Sequence, residues 1–305
     1  MKGVTDMAHD GHDSAAPEGE HWQGRFFTIW GGQSVSLVGS QLLGFALTWW
    51  LTQLTGSATV LATATMALIL PGVLLGPLAG AYVDRWNRRV VMIVSDIVTA
   101  LTALWLAYLF WRGSIAVWHV YLVTLVRSVS GCFQWPAMQA STALMVPDRH
   151  LTRISGMNQT MQGALSVIGP PLGALLLGLL PFQGIMLMDV GTALVAVVPL
   201  CFVRIPQPRG AAPGAESDGR RATRPSIWVD LREGLRYVWA WPGLVGIIAM
   251  AMILNFVMNP AFALMPLLVT NHFRGGALAL GAIESGWGIG LVLGGLVLTV
   301  WGGFR

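Results

Sequence analysis

Stretches of about twenty consecutive apolar residues recur along the chain, broken by short polar segments. A helix of roughly 20 such residues crosses a hydrocarbon core about 30 Å thick. In lipid every backbone polar group must be bonded internally, which favours helices. The pattern predicts helical spans near residues 26–51, 58–82, 90–111, 116–140, 155–180, 183–203, 243–270 and 277–301. The fifth and sixth are joined only by LPFQG, residues 180–184, and are the hardest pair to separate. A membrane β-barrel would show alternating segments of about ten residues, and none is visible. The expected fold is an all-α polytopic membrane protein.

The interruptions organise the chain. Residues 1–25 are polar and rich in His, Asp and Glu, with no apolar signal-peptide core. They read as a disordered cytoplasmic tail; HDGHDSAAPEGEH could hold a metal only weakly. The six-span block 26–203 reads as one bundle, and the Pro-, Gly- and Ser-containing segment 204–225 as a cytoplasmic linker. In 226–241, Trp228, Leu231, Leu235, Val238 and Trp239 recur at helical spacing, with Asp230, Arg232, Glu233 and Arg236 elsewhere on the wheel. That is an amphipathic helix suited to the membrane interface. Residues 243–305 form a second, partial bundle.

Composition agrees: 54% of residues are hydrophobic and 10% charged, against roughly a quarter charged in soluble domains. The basicity follows the membrane rather than nucleic acid. Of 18 Lys and Arg, fifteen fall on one side if the N-terminus is cytoplasmic: Lys2, Arg25, Arg85, Arg88, Arg89, Arg149, Arg153, the seven from Arg204 to Arg236, and Arg305. Arg112 and Arg274 fall opposite and Arg127 lies within a span. This positive-inside asymmetry places the N-terminus in the cytoplasm. Two Cys, both within spans (Cys132 and Cys201), provide no disulfide framework.

After the second span the chain reads Gly80-x-x-x-Asp84-Arg85-x-Asn87-Arg88-Arg89. This resembles the loop between helices two and three of the major facilitator superfamily, with Asn87 where Gly is usual. Asn tolerates a left-handed turn well. FFTIWGGQSVSLVGSQLLGFALTWWLTQLTGSATVLA, CFQWPAMQASTALMVPDRHLTRISGMNQT and NFVMNPAFALMPLLV are similar to the macrolide-efflux branch of that superfamily. The resemblance covers roughly residues 24–305. It implies the superfamily fold, with a complete N-terminal six-helix half and the first two helices of the C-terminal half. It also implies alternating access and export of a small amphipathic substrate coupled to protons, by a protein of the cytoplasmic membrane that is monomeric when full length. Siderophore or metabolite export is the alternative, as is a non-transporting remnant. The family has twelve spans, so helices nine to twelve are missing here, including the one against which the Asp84 loop would lock. Residues 1–305 alone are therefore expected not to transport.

The resemblance also assigns roles. Gly80, Asp84, Arg85, Arg88 and Arg89 form the gating loop, in which Asp84 can pair with a cation or a helix N-terminus in one conformation. Gly163, Gly169, Pro170, Pro171 and Gly173 resemble the antiporter signature, with Ala174 in place of its final Gly. Charged groups inside spans are rare and usually functional. Arg127 matches a superfamily arginine implicated in proton coupling or substrate contact. Asp96 is expected to join the charge network between loop and helix. Glu284 is the candidate proton carrier, because a carboxyl withdrawn from water favours its neutral form. Asp189 reads as an interface or cap acid. Gln33, Gln41, Trp50, Gln134, Asn255 and Asn259 are candidates for lining the substrate cavity. No P-loop, no H-E-x-x-H and no closely paired membrane carboxylates are present, so a nucleotide-driven pump and an intramembrane enzyme are both disfavoured. No cofactor or metal site is expected, and no nucleic-acid partner.

Overall fold

The structure, a computed structural model, describes residues 22–83, 85–203, 205 and 236–301. Most of the tail, the linker and the amphipathic segment, together with Asp84 and Arg305, lie outside the described residues. Eight long helices are described: α1 (Trp22–Thr55), α2 (Ala58–Val83), α3 (Arg88–Trp111), α4 (Val117–Met145), α5 (Asp148–Leu179), α6 (Phe182–Phe202), α7 (Pro242–Leu267) and α8 (Ala277–Trp301). The end of α7 widens into a π-helical turn, Leu268–His272. Among the described residues seven helices are long and apolar enough to cross a membrane. The other long helix, α4, is made more polar by His119, Arg127, Gln134 and Gln139.

Local chemistry sets the breaks. Gly56 (φ 54°) turns the chain between α1 and α2, and Gly113 (φ 64°) turns it after α3; both need the left-handed region that Gly enters freely. Pro181, in extended conformation, caps the start of α6 and separates it from α5. Asn87 caps α3 through its side chain, whose Oδ1 accepts from the Arg89 amide at 3.1 Å. Its φ is −70°, so the expected left-handed turn is not used. Capping is the role that Asn fills instead.

Helices α1 to α6 pack into a bundle, with α1 on α6 and α5, α3 on α6 and α4, and α2 on α4. Helix α1 approaches α6 closely at Gly32, where a Cβ would lie 3.0 Å from the Val195 carbonyl oxygen, and at Gly39, where one would lie 3.2 Å from the Asp189 Cα and closer still to the Thr192 hydroxyl. The buried apolar side chains fall into two main cores at opposite ends of the bundle. Phe26, Ile29, Met92, Ala137, Ile154 and Leu200 belong to one, and Leu43, Leu47, Leu106, Val120, Val123 and Met186 to the other. On α1, α3, α4 and α6 alike, the segment between those cores carries buried polar residues, among them Gln33, Ser36, Ser95, Asp96, Ser130 and Asp189. The bundle is thus two oily ends around a polar middle layer. Helix α8 packs along α5, and α7 leans on α2 and α1.

Candidate functional site

The middle layer holds two polar clusters. In the first, Arg127 of α4 meets Asp189 of α6, with Nη1 at 2.7 Å from Oδ2 and Nη2 at 3.4 Å from Oδ1. The Arg127 guanidinium also donates to the Ser40 hydroxyl at 2.9 Å and to the Thr99 carbonyl at 3.2 Å. Its side chain is 14% exposed and that of Asp189 2%, so each charge relies on the other. Asp189 lies a full two turns inside α6 and is neither an interface nor a cap acid. A lone intramembrane arginine needs an intramembrane acid, which was the sequence signal for this pair.

In the second cluster, Asp96 of α3 accepts from Gln33 Nε2 of α1 at 2.7 Å and from Gln134 Nε2 of α4 at 2.6 Å. Gln134 Nε2 also donates to Gln33 Oε1 at 2.9 Å. The hydrogen bonds of the Asp96 carboxyl tie three helices together by way of two carboxamides. Gln33 and Gln134 also border a side pocket of about 130 Å³ between α1, α4 and α5, walled by Trp30, Trp135 and Asn158. There the Trp30 Nε1 donates to Asn158 Oδ1 at 2.7 Å.

A second cavity, about 400 Å³, lies between α1, α2, α4, α5, α7 and α8. Its wall is mainly apolar, with Phe45, Leu68 and Phe262 among its members, and Gln41, Asn259, Glu284 and the threonines Thr48, Thr65 and Thr124 bring the polar groups. Gly169 and Pro170 form the α5 wall. An apolar cavity of a few hundred Å³ with few convergent polar groups is the usual form of a small-molecule site. No hydrogen bond or ion pair engages the Glu284 carboxyl among the described residues.

Behind that cavity α8 runs unusually close to α5. A Cβ on Gly281 would stand 2.9 Å from the Pro170 carbonyl oxygen, and one on Gly288 would stand 2.9 Å from the Ser166 carbonyl carbon. Between them Ser285 Oγ donates to the Val167 carbonyl at 2.6 Å. On the other flank of α5, a Cβ on Gly173 would press within 2.9 Å of the Phe45 ring, whereas one on Gly163 would make only an ordinary 3.6 Å contact with Val292.

The structure thus groups Gln41, Asn259, Glu284, Gly169 and Pro170 around one cavity, and Gln33 and Gln134 around Asp96. Arg127 stands apart with Asp189. Two expected cavity residues fall elsewhere. Trp50 packs edge-on against Phe110, with ring centroids 5.3 Å apart, beside the second apolar core. Asn255 returns its side-chain amide to the Ala251 carbonyl at 2.9 Å on an exposed face of α7; its side-chain oxygen accepts from Asn259 at 3.3 Å. Of the expected gating residues, Gly80 lies in the last turn of α2 with open space around it, Arg85 is exposed and Arg88 buried. Arg89 reaches the carbonyls of Leu200 and Cys201 at the C-terminus of α6, so it clasps its own bundle. Ser285 was missed by sequence reasoning, although two successive prolines in α5 signal carbonyls in want of a donor.

Long apolar helices around a cavity that a carboxyl lines are the architecture of a multi-pass membrane protein, and the family match makes it a transporter. The sequence matches the Major Facilitator Superfamily over residues 29–305, and the chain belongs to that superfamily. It is 32% identical over 285 residues to macrolide efflux protein A of Streptococcus pyogenes, covering 93% of this chain and 68% of that protein. It is 29% identical over 250 residues to macrolide efflux protein A of Enterococcus faecalis, covering 82% and 75% respectively. The multidrug efflux pump Tap of Mycolicibacterium fortuitum is 25% identical over 205 residues, covering 65% of this chain and 48% of that pump.

Proposed function

We propose that this protein exports small amphipathic molecules, macrolide-like compounds first among them, from the cytoplasm across the cytoplasmic membrane. Transport proceeds by alternating access and is driven by protons. The observation that carries this reading is the Glu284 carboxyl on the wall of an otherwise mainly apolar cavity of about 400 Å³. An ionised carboxylate in such surroundings is costly unless it takes up a proton or meets a cation. Proton and substrate therefore compete for one place, which is the requirement for exchange. The names of the relatives, macrolide efflux protein A and multidrug efflux pump Tap, support the substrate class.

In this reading residues 26–203 are the N-terminal half, 204–225 the linker, 226–241 an interfacial helix and 243–305 a partial C-terminal bundle. The N-terminus is cytoplasmic, on the side that carries fifteen of the 18 basic residues. Asp84, with Gly80, Arg85, Arg88 and Arg89, gates the cytoplasmic side, and Arg127 paired with Asp189 braces the layer behind the cavity. Cells expressing the full-length protein should accumulate less of a labelled macrolide, and a protonophore should restore accumulation. Efflux that continues unchanged in the presence of the protonophore would refute proton coupling.

A further inference from the structure

Helix α5 contains two prolines in succession, Pro170 and Pro171, and a proline has no amide hydrogen to donate. In the α-helical ladder those amides would serve the carbonyls four residues back, Ser166 and Val167. Both carbonyls are therefore left without their donors inside a membrane, where such a group costs free energy until something else satisfies it. Helix α8 covers both. The Ser285 hydroxyl sits 2.6 Å from the Val167 oxygen, and Gly288 lets α8 lie against the Ser166 carbonyl, whose oxygen would stand 3.0 Å from a Cβ at that position. Gly281 lies over the Pro170–Pro171 peptide. Positions 281, 285 and 288 repeat at i, i+4 and i+7, a single face of α8.

The Ser285 hydroxyl also lies 2.9 Å from the Gly281 carbonyl, but that carbonyl already receives the Ser285 amide within the helix. The one hydroxyl proton is needed at Val167. Consecutive residues on a helix are turned by about 100°, so anchoring Ser285 to α5 fixes the direction in which Glu284 leaves the helix. That direction is the central cavity, beside Gly169 and Pro170.

We propose that Ser285 is a positioning residue, whose hydroxyl replaces the backbone donor that Pro171 removes and thereby fixes the rotation of α8 that presents Glu284 to the cavity. This rests on the reading of that cavity as the transport site, but its test does not depend on transport. In the purified full-length protein Ser285→Ala and Ser285→Cys are compared with and without Pro171→Ala, which returns an amide hydrogen to Val167. Two quantities are read: the unfolding temperature, and the rate at which a hydrophobic carbodiimide modifies Glu284, followed by mass spectrometry.

The expected result is that Ser285→Ala lowers the unfolding temperature by about 3 °C in the native background and by less than about 1 °C in the Pro171→Ala background. Ser285→Cys, with its weaker donor, falls between. The modification rate of Glu284 changes by about threefold in Ser285→Ala, which corresponds to about 0.6 kcal/mol, and stays changed in the double variant, where no hydroxyl ties α8 to α5. Equal losses in both backgrounds, or a Glu284 modification rate unmoved by Ser285→Ala, would overturn the inference. Uphill efflux that survives Glu284→Gln would instead remove Glu284 from proton coupling and leave the Ser285 result standing.

Discussion

Replacing Asp189 with Asn tests whether the polar layer of the bundle is held by a pair of charges. The change keeps shape and one acceptor oxygen, but places an amide N–H₂ toward a guanidinium and removes the only acid that the described residues offer to Arg127 as a salt-bridge partner. Removing one partner of a buried pair costs about 3–5 kcal/mol. Arg127 keeps its bonds to Ser40 and to the Thr99 carbonyl, so the lower end applies, about 3 kcal/mol. For a chain of 305 residues 1 kcal/mol moves the unfolding temperature by about 1.6 °C, giving a fall of roughly 5 °C. Thermal unfolding of the purified full-length protein, followed by tryptophan fluorescence in detergent, is the assay. The apolar double variant Arg127→Met with Asp189→Leu should recover at least half of that loss, because it leaves no charge uncompensated. An Asp189→Asn protein as stable as the native one, or a double variant that loses the sum of the single losses, would refute the pairing argument.

Two further predictions concern packing and capping. Gly288→Ala places a Cβ against the Ser166 backbone, which cannot move aside, whereas Gly163→Ala meets only a side chain at 3.6 Å. The first should reduce efflux strongly and destabilise by about 1–3 kcal/mol, and the second should be nearly silent in both assays. Arg89→Ala removes the charged donors from the end of α6 and should cost about 2 kcal/mol, with faster hydrogen exchange confined to the last turn of α6.

The spans were legible because a bilayer demands one physical property over a fixed length: eight long helices are described near the predicted runs, and seven of them are apolar enough to cross a membrane. Their ends were less legible. Helix α1 has 34 residues and α5 has 32, since a helix can continue into water after its apolar run stops. Hydropathy measures the bilayer and not the hydrogen-bond ladder. The α5–α6 boundary, ambiguous from composition, is decided by two extended residues, Leu180 and Pro181. Within the site, polar residues in spans were identified from their cost in lipid, but their partners were not. Asp96 and its two glutamines come from three different helices, and Arg127 meets Asp189 across 62 positions. Helix rotation selects those partners, and rotation is set by close contacts such as Gly39 against α6. The misassignment of Trp50 and Asn255 has the same origin: residue type suits a cavity, but the face of the helix decides whether the side chain reaches it.

Glu284 carries the proposed coupling, and proteoliposomes containing the full-length protein test it most directly. With an imposed pH gradient, the native protein should move a labelled macrolide against its concentration gradient. Glu284→Gln should still exchange labelled for unlabelled substrate at equilibrium, yet fail to accumulate it when the gradient is applied. Gradient-driven accumulation by Glu284→Gln equal to that of the native protein would contradict the assignment of the proton to this carboxyl.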